Sequence, residues 1–230
     1  MGATIFVLVL LLLFSYLMGS IPFSLVVGKL FFKKDIRNFG SGNLGGTNTG
    51  RVLGKGAGFA VMVLDQLKAV IAILIGTLIM KHMDPNFVNL TIYLSSICIV
   101  LGHCYPIFAK FKGGKAVASI AGFVLFMNWR ITLLAFFVFL LVALTTKIIS
   151  LASMSAMTVG AICIFIPFFT ESYLFTHGEL NNQLSRFIYF FSIILLALLL
   201  IYRHYPNIQR LLKGEEKKFK IEKIFKNDKK

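Results

Sequence analysis

Along this chain, long apolar runs alternate with short polar stretches rich in glycine, lysine and arginine. A helix needs about 20 apolar residues to cross a hydrocarbon core of ~30 Å. Runs near that length lie at roughly residues 3–27, 56–80, 87–102, 116–129, 131–147, 150–170 and 185–203. The pattern predicts an all-α integral membrane protein with about seven transmembrane helices. The third and fourth runs are short or glycine-containing, which allows a tilted or half-inserted segment and a count of six. Gly19-Ser20-Ile21-Pro22 interrupts the first run. Pro22 has no backbone donor, so a kink or unwound turn facing the protein interior is predicted there.

Composition supports the membrane reading. The chain is 57% hydrophobic and 14% charged over 230 residues, whereas soluble domains are about 45–50% apolar. No cation precedes the first run and further runs follow it, so it reads as a retained span rather than a cleaved signal. The net charge of +15 would suit nucleic acid, but its distribution is topological. With the N-terminus outside and spans alternating, 20 of the 24 Lys and Arg fall on the inward side, the positive-inside pattern. The C-terminus is then cytoplasmic and no nucleic-acid partner is implied. Cys98, Cys104 and Cys163 show neither CxxC spacing nor a disulfide framework. The simplest division is a membrane domain over 1–212 and a basic cytoplasmic tail over 213–230. That tail reads either as solvated chain or as a helix laying Phe219, Ile221, Ile224 and Phe225 on anionic lipid.

Four polar stretches share the inward side, and the richest is Gly40–Lys55, GSGNLGGTNTGRVLGK. Its six glycines permit close backbone approach to a ligand, and Ser41, Asn43, Thr47, Asn48 and Arg51 add donors at short range. It fits a phosphate or carboxylate, though a flexible interhelical turn is the plain alternative. It matches GxGxxG only formally, since a span and not a β-strand precedes it, and no GK[ST] closes it as a Walker loop. Lys112-Gly113-Gly114-Lys115 opens an apolar helix, where backbone N–H groups and cations suit an anion or simply anchor the helix. His103 begins that segment, and is as readily structural as chemical. Ser150 and Ser153 stand three apart where hydroxyls either cap a helix or meet a ligand. His204 and Asn207 would share a face if the last helix continued, but Pro206 argues for a turn. Asp65 and Lys68 lie inside the second span and are expected to pair.

No His/Asp/Glu cluster suggests a metal, and no organic cofactor is implied. The HxxxxD motif of the His-Asp acyltransferases is absent, because the residues five after His82, His103, His177 and His204 are Phe87, Phe108, Asn182 and Gln209. A transporter for phosphate or a phosphorylated solute remains the alternative from another class. It would require polar residues continuing to the outer side, where the loops are short. A membrane anchor docking partners through the basic tail would leave the glycine loops without a role.

The motifs together resemble the acyl-phosphate-dependent glycerol-3-phosphate acyltransferases of bacterial phospholipid synthesis, the PlsY type. The resemblance rests on Gly19–Lys29, Gly40–Lys55, Gly102–Ala118, the Ser150/Ser153 region and Arg203–Phe219, in the family's order and spacing. It implies a seven-span enzyme of the bacterial inner membrane, with its site at the cytoplasmic face. Such an enzyme transfers a fatty acyl group from acyl phosphate to the 1-hydroxyl of glycerol 3-phosphate. Lysophosphatidic acid and phosphate are the products. Carried over by position, Ser41, Arg51, Lys115, His204 and Asn207 are the catalytic candidates. Asn43, Gly45, Gly46, Thr47, Asn48, His103, Gly113, Gly114 and one of the pair Ser150 and Ser153 are the substrate-binding ones. An acyl-phosphate-forming acyltransferase is the implied partner. The chain departs from the family pattern at Leu44, Gly46 and Ala116, where Pro, Ala and Gly are usual. Loss of Pro and gain of Gly should loosen the loop, and Ala116 would be strained if its φ were positive.

Overall fold

The structure, a computed structural model, describes residues 1–166 and 183–219. The described chain is built of helices: α1 (Gly2–Ser20), α2 (Phe23–Phe32), α3 (Gly46–Leu53), α4 (Lys55–Met83), α5 (Val88–Cys104), α6 (Val117–Met127), α7 (Trp129–Thr146), α8 (Ile149–Cys163), α9 (Gln183–Arg203) and α10 (Tyr205–Leu212). Among the described residues, four helices are long and apolar enough to cross a membrane, or five if the α9–α10 pair, bent by 56°, is one span. Helices α6 and α8 have 11 and 15 residues, short of the ~20 a full crossing needs. The apolar stretches expected from the pattern are therefore present, but not each as a full-length crossing. The far end of the 150–170 run lies outside the described residues.

The interruption expected at Gly19–Pro22 is present, and it is a full break. The stretch read as one span over 3–27 is two helices, α1 and α2, parted at Ile21–Pro22. A helix end leaves carbonyls without intrahelical partners, and in an apolar setting each must be satisfied. Lys68 on α4 does this, donating to the carbonyls of Gly19 and Ile21 at 2.9 Å each. Its ammonium also lies 2.8 Å from Asp65 Oδ1 and 3.2 Å from His103 Nδ1. The expected intramembrane ion pair is present, and its cation staples the broken helix to α4 and α5.

The core lies where α4, α5, α6 and α9 meet, around Ile73, Tyr93, Ile99, Phe123, Phe126 and Leu196. Helices α1 and α5 approach closely through small residues. A Cβ on Gly102 would stand 2.2 Å from the carbonyl oxygen of Tyr16, which excludes larger side chains there. A second small cluster, Leu25, Ile36, Leu44 and Ala109, lies beneath the glycine-rich loop. Leu44 is 3% exposed. The loop that loss of proline was expected to loosen is thus pinned by burial of the leucine that replaces it.

Candidate functional site

The Gly40–Lys55 stretch is only half a loop. Residues Gly46 to Leu53 form α3, two turns of helix held against α4. Asn48 accounts for the fold of the first half. Its Oδ1 accepts from the Ser41 backbone N–H at 2.8 Å, and its Nδ2 donates to the Phe39 carbonyl at 3.1 Å. Gly40 takes a positive φ of 67°, and a Cβ there would stand 2.2 Å from Asn48 Oδ1. The Asn48 amide is therefore spent on the loop itself. Ser41, Asn43, Thr47 and Arg51 face the neighbouring cavity, and Arg51 is exposed.

The second glycine segment folds over α5. The Gly113 N–H donates to the Cys104 carbonyl and the Gly114 N–H to the His103 carbonyl. Arg203, at the end of α9, donates from Nε and Nη2 to the Gly114 carbonyl at 3.2 and 3.0 Å, and from Nη2 to the Gly113 carbonyl at 3.2 Å. Beneath the loop, His103 packs so closely that a Cβ on Gly114 would lie 2.1 Å from its Nε2. Both N–H groups are engaged by backbone, so these glycines shape the site rather than line its cavity. His103 is held by Lys68 on one side and lies 3.5 Å from Asp65 Oδ1.

At the end of α9 the chain turns. His204 begins α10, and Pro206 sits in its first turn, where its missing N–H costs nothing. The bend keeps His204 and Asn207 on the same cavity. His204 Nδ1 is 2.8 Å from the Leu200 carbonyl, an acceptor only, so Nδ1 carries the proton and Nε2 is free to accept. Ser153 Oγ stands 3.2 Å from that Nε2 and 3.0 Å from the Ser150 carbonyl. Its single proton has two acceptors to choose between.

Lys115 donates to Asn207 Oδ1. Burial pushes the Lys115 ammonium down to about 8, with Arg210, Arg51 and Arg203 adding in the same direction and Glu216 opposing them. Glu216 was not singled out from the sequence. Its Oε1 accepts from Ser150 Oγ at 2.8 Å and from Asn207 Nδ2 at 2.6 Å, while Oε2 accepts from Arg210 Nε at 2.7 Å. These donors hold its carboxyl below the usual range, against the opposing effect of burial. Residues assigned by pattern to the tail thus return to the site. The Phe219 N–H meets the Lys147 carbonyl at 2.6 Å, and Lys55 Nζ lies 5.3 Å from the Phe219 ring centroid. Residues 220–230 lie outside the described chain.

These groups surround two adjoining hollows. One is a cavity of about 370 Å³ that begins among the polar loops and runs on between α6, α7 and α8, past Phe123, Met127, Ile131, Phe136 and Met157. Apart from Gly113 and Gly114, every site candidate from the sequence lines it. The other, about 340 Å³, is a polar recess edged by Arg51, Lys115, Arg203 and Arg210. Ser41, Asn43, Arg51, Lys115 and Asn207 border both. Asp65, Arg203, Arg210 and Glu216 are the contributors that sequence reasoning left out of the site. In the sequence Arg203 stands at the end of an apolar run, where cations are ordinary, and Glu216 is one charge among many.

Fold and site together define a helical membrane protein in which a polar junction edged by cations opens onto an apolar channel. The family model described as glycerol-3-phosphate acyltransferase matches residues 9–214. A glycerol-3-phosphate acyltransferase of Staphylococcus carnosus (strain TM300) is 43% identical over 217 residues, covering 93% of this chain and 98% of the relative. That of Staphylococcus aureus (strain Newman) is 41% identical with the same coverage. Among solved structures, PlsY (YgiH), an integral membrane glycerol 3-phosphate acyltransferase, superposes in its glycerol 3-phosphate form with a TM-score of 0.78. There the identity is 36%, over 95% of this chain and 99% of that one. The lysophosphatidic acid form gives 0.75 and 35%, over 93% and 95%. The chain belongs to the glycerol-3-phosphate acyltransferase family.

Proposed function

We propose that this protein transfers a fatty acyl group from acyl phosphate to the 1-hydroxyl of glycerol 3-phosphate, releasing lysophosphatidic acid and phosphate. The observation that carries this reading is the shared border of the two hollows. Ser41, Asn43, Arg51, Lys115 and Asn207 stand where an apolar channel meets a cationic recess. An acyl chain suits the channel, a phosphorylated small alcohol suits the recess, and the bond to be made lies between them. Family membership supports the acceptor, since the similar PlsY was solved in glycerol 3-phosphate and lysophosphatidic acid forms.

Arg51 and Lys115 supply the charge for two phosphates and for the oxyanion that develops as the acceptor hydroxyl adds to the acyl carbon. The new C–O bond forms first as the carbonyl electrons move onto oxygen, and collapse of that oxyanion breaks the acyl–phosphate C–O bond, whose electron pair leaves with phosphate. Because the donor is already activated, little is asked of a general base. A substrate phosphate oxygen or His204 Nε2 accepts the hydroxyl proton. Apolar walls at the far end of the channel, Leu133, Phe136 and Phe139, disfavour the alternative of transporting a phosphorylated solute.

The distribution of Lys and Arg supports a site at the cytoplasmic face of the bacterial inner membrane. An acyl-phosphate-forming acyltransferase is then the partner that supplies the donor. The test is acyl transfer to labelled glycerol 3-phosphate by purified protein, offered palmitoyl phosphate, palmitoyl-CoA or acyl carrier protein thioester. Product from palmitoyl phosphate alone is expected. Product from a thioester alone would overturn the donor assignment.

A further inference from the structure

Glu216 lines the cavity at its polar end, is 9% exposed, and its carboxylate binds three side chains of the site. We infer that Glu216 is a positioning residue of the transfer reaction, which fixes the Asn207 amide so that its oxygen faces Lys115. The inference deepens the proposed function and rests on the transferase reading, though not on the identity of the acyl donor.

The argument starts from what an amide can do. Asn207 presents an acceptor oxygen and a donor NH2, and the two exchange places by rotation about one bond. A carboxylate is acceptor-only, so Glu216 Oε1 at 2.6 Å admits the NH2 and no other orientation. The oxygen is thereby turned toward Lys115, whose ammonium donates to it. The protonated Lys115, a donor only, favours the same orientation, so the carboxylate and the ammonium hold the amide from opposite ends. A flipped amide would set NH2 against NH3⁺.

Charge gives the second half. Lys115 is faced by Arg51 on α3, Arg203 on α9 and Arg210 on α10, all opposing its protonation, and Glu216 is the acid set against them. Arg210 reaches Glu216 directly at 2.7 Å. Glu216 also receives the Ser150 hydroxyl at 2.8 Å, which joins α8 to the same anion. One carboxylate from the chain after α10 therefore ties α8, α10 and the Lys115 loop into a single arrangement.

Two substitutions separate orientation from charge. In Glu216→Gln the amide oxygen can still accept from Asn207 and Ser150, but the negative charge is gone. In Glu216→Ala both are lost. Steady-state kinetics for glycerol 3-phosphate across the pH range, with whichever donor the wild type uses, are compared alongside thermal unfolding in detergent. For Glu216→Ala, kcat is expected to fall by about tenfold or more, and the alkaline limb of the profile to move to lower pH. Glu216→Gln is expected to keep most of kcat near neutrality while showing the same shift of the limb. Glu215→Gln removes the same charge from an exposed neighbour and is expected to leave both unchanged. If Glu216→Ala retains its kcat, or loses activity only in proportion to folded protein with the alkaline limb unmoved, the inference is overturned. Failure of palmitoyl phosphate as donor would instead count against the donor assignment alone.

Discussion

Arg203 holds Gly114 from across the site, its Nε and Nη2 sharing one carbonyl oxygen at 3.2 and 3.0 Å while Nη2 reaches on to Gly113. Only a planar guanidinium offers two N–H directions to adjacent acceptors, so lysine is a poor substitute. The guanidinium also lies 5.2 Å from the Tyr105 ring centroid. Arg203→Lys is expected to reduce kcat/KM for glycerol 3-phosphate by about tenfold while the protein still inserts, and Arg203→Ala by more. A variant with wild-type kinetics would show that the loop holds its shape without this fork.

Lys115 is expected to set the alkaline side of the pH profile. Its ammonium, pushed down to about 8 by burial, is charged below that pH and neutral above it. Activity that needs the cation falls as pH rises through about 8. For stability the sign is opposite. Between about 8 and the usual lysine value of 10.5 the unfolded chain binds more protons, so stability rises with pH across that window. Lys115→Arg, which cannot deprotonate, is expected to remove the alkaline limb even if its rate is lower. The check is kcat/KM against pH for wild type and variant.

Lys68 is expected to be costly to remove. Lys68→Met strands the Asp65 carboxylate and leaves the Gly19 and Ile21 carbonyls without their donor. Breaking a buried pair costs about 3–5 kcal/mol. Adding Asp65→Asn should recover part of the loss by removing the stranded charge, and thermal unfolding in detergent measures both. A single variant as stable as the double would show that the carboxylate is neutralised by other means.

Gly160 limits the channel from α8. A Cβ there would stand 3.5 Å from Ile131 Cγ2, in open contact, so a larger side chain would project into the cavity that both residues line. Gly160→Leu is expected to shift donor preference from palmitoyl phosphate toward shorter chains, since each displaced methylene costs about 0.8 kcal/mol of burial. Competition between palmitoyl and lauroyl phosphate reads the shift. Unchanged selectivity would place the acyl chain elsewhere.

Ala116 carries backbone strain. Its φ of 58° lies in the left-handed region, which costs a residue with a Cβ roughly 1–2 kcal/mol. Glycine removes this but loses some entropy, so Ala116→Gly should stabilise by about 0.5–1 kcal/mol. Thermal unfolding of the variant tests it. A lower midpoint would mean that the methyl's packing outweighs the strain.

Much of the site was legible because its residues announce themselves locally. Six glycines among donors, a cationic glycine pair and a His–Asn pair are unusual in an apolar chain, and their order carried the family resemblance. What stayed hidden depends on partners far apart in sequence. Glu216 reads as one of four acids beside eight lysines in the terminal stretch, and no local pattern marks which one returns to the site. Arg203 ends a hydrophobic run, where cations are ordinary. The apolar channel was illegible because apolar side chains lie everywhere along the chain, and only packing decides which of them leave space.

By itself, the sequence determined the class of the fold, its punctuation and the chemistry of the polar loops. Apolar runs must span or line a membrane, Pro22 must break a helix, and clustered glycines must let backbone come close. Tertiary structure alone decided that Lys68 would satisfy the broken helix, that Asn48 and His103 would brace loops, and that Glu216 would complete the polar network. The reason is physical. Local sequence governs which backbone conformations are cheap, while a buried polar group finds its partner through contacts that exist only once the helices have packed.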